Sequence, residues 1–215
     1  ADDVNLSNIN IQGGGNGRNG MELMHVNNLN LFNFSAWNIY TGIRGLIVND
    51  SVFDTIQING GQINSINFAG GTSSRNNLSN IQISNVSANA GVSMGGVGNY
   101  VSGLHISDSN TSGWVIGFQS STTAINNTYD GFDVQNTPVA IGVTNLGSGN
   151  IIKNGFIKNV TTSFFINSTA TGIKKITLEN ITLSDASESH STNLDLFKTI
   201  NPSEILYISL PDTIP

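Results

Sequence analysis

The side chains best placed to do chemistry are a histidine and an aspartate that occupy the same slot of two similar phrases, Gly103-Leu104-His105-Ile106-Ser107-Asp108 and Gly131-Phe132-Asp133-Val134-Gln135-Asn136. In each phrase apolar residues flank the polar one, and period-two alternation turns that middle residue away from the face its neighbours share. His105 and Asp133 are therefore expected side by side on adjacent strands, facing solvent. In further copies of the phrase the slot reads Asn10, Asn30, Gln57, Gln82, His105, Asp133 and Thr177, a column of hydrogen-bonding groups suited to hydroxyls. Asp108 and Asp130 fall close by, and Trp114 and Tyr129 lie on flanking segments. An aromatic face beside polar side chains can hold a sugar ring, apolar on its faces and hydroxylated at its rim. Gln57, Gln82, His105, Asp130, Trp114 and Tyr129 are the candidate binding residues.

Asp108 and Asp133 are the candidate acid and base. Offset by three residues and one strand, their Cα atoms fall about 11 Å apart from strand geometry. Their side chains could bring the carboxyls toward the roughly 6.5–9.5 Å separation of an inverting glycosidase. The plainer reading stays open beside it: Asp108 replaces Asn in a turn, and Asp133 is a solvated residue paired with His105. His25 and His190 have no acidic or nucleophilic partner in the pattern, so no metal site and no cofactor are expected. The glycine-rich run from Gly13 to Gly20 leads into the strand-like Met21-Glu22-Leu23-Met24, not a helix, and reads as a turn, not a phosphate cradle.

The element that must carry these residues is a recurring phrase, plainest at Leu78-Ser79-Asn80-Ile81-Gln82-Ile83-Ser84-Asn85-Val86. Copies lie at Ile9/Ile11, Leu29/Leu31, Ile56/Ile58, Leu104/Ile106, Phe132/Val134, Ile176/Leu178 and, less cleanly, Ile157/Asn159 and Leu206/Ile208. Their spacing of roughly 20 to 30 residues is that of solenoid repeats. A lone short strand cannot bury its apolar face, but stacked coils bury one another's. The expectation is an all-β chain, a right-handed single-stranded parallel β-helix of about eight or nine coils with three faces per coil. Residues 1–184 form the helix, and the polar, proline-punctuated stretch 185–215 forms a terminal coil, cap or oligomerisation module. Asn33, Asn85, Asp108, Asn136, Asn159 and Asn180 at the turn after the strand predict a ladder of stacked amides. Because Asp3-Val4-Asn5-Leu6 leads into the first strand almost at once, the chain reads as cut from something longer.

A formal charge of -6 with only eight Lys and Arg argues against nucleic acid, and no apolar run is long enough to insert in a membrane. Asn80-Ile81-Gln82-Ile83-Ser84-Asn85 and its copies resemble the pectate-lyase-like right-handed parallel β-helix superfamily over nearly the whole chain. The Asn-, Ser- and Gly-rich, cysteine-free character is most similar to its bacteriophage tailspike and receptor-binding branch. That resemblance implies a virion appendage or surface adhesin, extracellular, recognising host cell-surface polysaccharide as a homotrimer. The alternative it implies is a polysaccharide-degrading hydrolase or lyase on the same fold. The superfamily's lyase signature, an acidic calcium cluster with a catalytic base, is not matched by Arg18, Arg44, Arg75 or Lys153, which sit singly. Its polygalacturonase-like hydrolase signature, an adjacent Asp pair mid-chain, is not matched either, since the only adjacent pair is Asp2-Asp3 at the terminus.

Overall fold

The computed structural model describes residues 2–14, 17–68, 73–87, 90–110, 114–118, 124–143, 149–166, 176–184 and 205–208, which are strands and turns with no helix among them. Backbone corners explain the architecture. Asp50, Thr55 and Gly60, then Arg75, Asn80 and Asn85, then Gly98, Gly103 and Asp108, then Asn126, Gly131 and Asn136, then Gly149, Asn154 and Asn159 all have positive φ. The left-handed region is cheap for Gly and tolerable for Asn and Asp, so composition and conformation agree. Within each coil the three corners are five residues apart, and two short extended segments run between them. Stacked partners lie 22 to 28 residues apart, and with the corner spacing fixed, that variation falls in the remainder of the coil.

In chain order the strands are β1 (Asp2–Gln12), β2 (Asn19–Asn49), β3 (Val52–Phe68), β4 (Asn77–Ser84), β5 (Ala90–Met94), β6 (Tyr100–Ser107), β7 (Trp114–Phe118), β8 (Thr128–Val143), β9 (Asn150–Ile166), β10 (Ile176–Ser184) and β11 (Ile205–Ile208). Parallel pairing runs β1-β2-β3-β4-β6-β8-β9-β10 along one face. Later parts of β2, β3, β8 and β9 join β5 and β7 in a second parallel ladder. A third line of contact is reduced to single bridges through Asn49, Ser74, Val97 and Ile125. The chain is thus a parallel β-solenoid, of about six turns where the sequence suggested eight or nine. The excess came partly from Leu206/Ile208, since β11 pairs antiparallel with β10 and adds no coil. Residues 185–204 and 209–215, which hold most of the expected terminal module, lie outside the described residues.

The core is a set of vertical stacks. Leu31, Phe53, Leu78, Val101, Tyr129 and Ile152 follow one another in register, as do Ala36, Ile58, Ile83, Ile106, Val134 and Ile157, and all are buried. Burying each such side chain contributes about 1.5–3 kcal/mol. A third stack, Phe34, Ile56, Ile81, Leu104 and Phe132, continues into Gly155. The Phe132 ring occupies the place a Cβ of Gly155 would take.

Polar ladders hold the coils in register. The expected surface ladder is present as two: Asn136 donates to Asp108 at 2.8 Å and Asn159 to Asn136 at 2.9 Å, while Asn33 donates to Asn8 and Asn180 to Asn154 at a different corner. A further ladder, not foreseen, is buried. Asn76, Asn99, Asn127 and Asn150 each follow a left-handed corner and are at most 1% exposed. The Oδ1 of Asn99 accepts the backbone N–H of Asn76 at 3.1 Å, that of Asn127 accepts Asn99 N–H at 2.8 Å, and that of Asn150 accepts Asn127 N–H at 3.0 Å. Their amides donate in turn to main-chain carbonyls, Asn99 to Gly95 at 2.9 Å and Ser73 at 3.1 Å, Asn127 to Gly96 at 3.0 Å. Buried backbone groups at the corner are thereby satisfied where the sheet hydrogen bonds stop.

Candidate functional site

Between the second and third corners of each coil the segment presents two outward side chains, and stacking turns these into two columns. One runs Asn10, Ser35, Gln57, Gln82, His105, Asp133 and Phe156. Beside it runs Trp37, Asn59, Ser84, Ser107, Gln135 and Lys158. Asn30 and Thr177 do not belong to the first column. They register with Tyr100 on the preceding segment, across a corner. The phrase occurs twice per coil, as in Leu29-Asn30-Leu31 and Phe34-Ser35-Ala36, and period two cannot say on which side of Asn33 a given copy falls.

Gln57 Nε2 donates to Gln82 Oε1 at 3.3 Å, extending the amide ladder along the column. His105 and Asp133 are neighbours as expected, with Nδ1 3.1 Å from Asp133 Oδ2. Gln135 Nε2 lies 2.9 Å and 2.8 Å from the two Asp133 oxygens and orients the carboxylate from the second column. An ionised carboxylate only accepts, so His105 Nδ1 carries the shared proton and Nε2 remains for a ligand. Trp37, Gln57, Asn59, Gln82, Ser84, His105 and Ser107, with Ile58 and Ile83 beneath, line a groove of about 350 Å³. Donors and acceptors recur along it at one strand spacing, about 4.8 Å, with an indole at one end.

The other expected residues are placed elsewhere. Tyr129 is 1% exposed in the core stack, with its hydroxyl 3.4 Å from Val92 O, and offers no ring to the surface. Trp114 lies on β7 in the second ladder, paired with Ala90, and its side chain lies outside the described residues. Asp108 sits at a corner, where its Oδ1 accepts from Asn136. It lines a separate cleft with Ser109, Asn136, Thr137 and Asn159. Asp133 is tied to His105 and Gln135, so the two candidate carboxylates have different partners and different surroundings. Asp130 also faces outward but before the Gly131 corner. It accepts from Asn154 at 2.7 Å and Tyr100 at 2.8 Å and pairs with Lys153 at 3.3 Å. Among the described residues no cluster of His, Asp and Glu could hold a metal.

Two carboxylates, Asp130 here and Asp54 further along the stack, are expected to make the fold acid-sensitive. Burial pushes the Asp130 carboxyl up, but hydrogen bonds from Asn154, Tyr100 and Lys153 outweigh it and leave the group below the ordinary carboxylate range. The Ser79 hydroxyl, opposed by burial and helped by Asn80 and Thr55, lowers Asp54 likewise. A folded-state pKa below the unfolded value of about 3.9 contributes stability above that pH and loses it as pH falls through the folded value. Thermal midpoints should therefore be level from neutrality to about pH 5 and fall below about pH 4. Asp54→Asn should start lower and fall less steeply. An acid limb unchanged by this substitution would contradict the assignment.

No family model matches the sequence, and no curated protein shows significant similarity to it.

Proposed function

We propose that this chain is a polysaccharide-recognising module whose binding face is the double column from Trp37 to Gln135, with the glycan running along the solenoid axis. The observation that carries the reading is the groove itself. An indole stands at the end of regularly spaced amide, imidazole and hydroxyl groups over Ile58 and Ile83. Successive sugar units meet successive coils, and each unit finds a hydrogen-bonding group. Work of this kind, on a rigid extended surface, suits a virion appendage such as a tailspike or a surface adhesin, acting outside the cell as a homotrimer.

A depolymerase is the competing reading. In its hydrolytic form it needs two carboxyls that share a substrate, and Asp133 is engaged by Gln135 and His105 while Asp108 is a corner residue of the amide ladder. That engagement favours binding over cleavage.

Retention on immobilised bacterial surface polysaccharides tests the proposal, with reducing-end release measured in parallel. Wild type should be retained without releasing ends. Trp37→Ala should weaken binding about 10- to 100-fold, the loss of a stacked aromatic surface of roughly 1.5–3 kcal/mol. Gln82→Ala should cost about 3- to 10-fold for one net hydrogen bond, and Thr177→Ala, in the neighbouring column, should cost nothing. Release of ends that Asp133→Asn abolishes would establish the enzyme instead. Light scattering that gives a monomer mass would remove the homotrimer.

A further inference from the structure

We infer that Asp133 is a charge filter, and that the ligand of the groove is an uncharged glycan and not a uronate-, sialate- or phosphate-bearing one. The inference rests on the proposed binding face and concerns its specificity. Asp133 stands in the first column, next along from His105, with its side chain 36% exposed. Gln135 donates to both of its oxygens, so a neutral amide, not a cation, orients the carboxylate from the second column. The imidazole on its other side is charged only when protonated. Anion recognition is strongest where guanidinium or ammonium groups turn to the ligand. Among the described residues Lys153 is committed to Asp130 across the corner, Arg44 to Glu22 and Arg75 to Asp50 in a two-point pair, while Arg18 lines a separate cleft with Gln12 and Asn38, beyond the Trp37 end. Exposed Lys158 stands one strand past Gln135, at the Asp133 end of the second column and just beyond the proposed face. The side-chain amides and hydroxyls of the adjoining groove, Gln57, Asn59, Gln82, Ser84 and Ser107, pair with sugar hydroxyls and acetamido groups without preferring charge.

An anionic unit within about 5 Å of Asp133 at partial exposure is repelled enough to weaken binding on the order of tenfold. Neutral units lose nothing.

The test is an array carrying neutral polysaccharides (dextran, galactomannan, glucomannan, a poly-N-acetylhexosamine) and acidic ones (polygalacturonate, alginate, hyaluronate, polysialate). It is probed with the full chain and with Asp133→Asn and Trp37→Ala at low and physiological salt. Retention of neutral glycans, indifferent to salt and lost in Trp37→Ala, supports the inference. So does a roughly tenfold gain of Asp133→Asn toward acidic glycans. Salt-sensitive retention of acidic glycans by wild type overturns the filter and leaves the binding face standing. An Asp133→Asn variant with unchanged acidic binding does the same. Retention of no glycan, or retention indifferent to Trp37→Ala, overturns both.

Discussion

Replacing Asn99 with leucine should cost about 3–6 kcal/mol of folding stability, more than any surface Asn in the chain. The two side chains are close in volume, so packing changes little and the loss is one of hydrogen bonds. Asn76 N–H loses its acceptor, and the carbonyls of Ser73 and Gly95 lose a donor, all within a corner shielded from water. Each buried polar group left unpaired costs about 1–3 kcal/mol, and the costs do not add fully. Asn30→Ala, on extended backbone, removes one exposed link to Asn5 and should cost under about 1 kcal/mol. Urea denaturation of the two variants checks the contrast, and equal midpoints would mean that the buried amides do not set the register of the stack.

The second large effect is expected at Gly96. Its φ is +76°, and a Cβ there would fall on the carbonyl oxygen of Ser73, the group that also accepts from Asn99. Gly96→Ala therefore combines a left-handed backbone penalty of about 1–2 kcal/mol with displacement of main chain that belongs to the next coil. A total loss of at least about 3 kcal/mol is expected. Gly98→Ala shares the positive φ but meets only the Arg75 side chain at 3.8 Å, so it isolates the backbone part. Should both substitutions lower the thermal midpoint equally, the close approach of the two coils contributes nothing.

The general fold was legible because two signals agreed. Alternation in Ile81-Gln82-Ile83 marked strands, and Asn, Asp or Gly after them marked corners that only a few residue types occupy cheaply. The face to which a phrase belonged was harder to read. Phe34-Ser35-Ala36 is the true counterpart of Ile56-Gln57-Ile58, yet Leu29-Asn30-Leu31 matches as well, since the corner at Asn33 shifts the alternation by one residue. Tyr129 reads by residue type as a surface aromatic, although it follows Leu78 and Val101 in their inward slot. Counting positions between the two tyrosine-bearing phrases at Tyr100-Val101 and Thr128-Tyr129 would have shown it.

The buried ladder was missed for a different reason. In an Asn-rich chain, one more Asn beside a turn looks like turn chemistry. The signal was a four-residue pattern, a corner residue, then Asn, then any residue, then an apolar one: Arg75-Asn76-Asn77-Leu78, Gly98-Asn99-Tyr100-Val101, Asn126-Asn127-Thr128-Tyr129 and Gly149-Asn150-Ile151-Ile152. Trp37 entered the groove because its position is one strand over from Asn59. Its residue type alone was equally compatible with packing beneath a loop.

The constant five-residue interval between corners gives the molecule a property that belongs more to measuring devices than to pockets. Length changes elsewhere in a coil leave the graduations of the face unmoved, and the outward letters can be exchanged singly without touching the core stacks. Such a surface can be rewritten one mark at a time. On the proposed function, a lineage carrying it could follow a changing glycan coat by substituting a Gln, a His or a Ser at the corresponding mark, with the gauge itself unaltered.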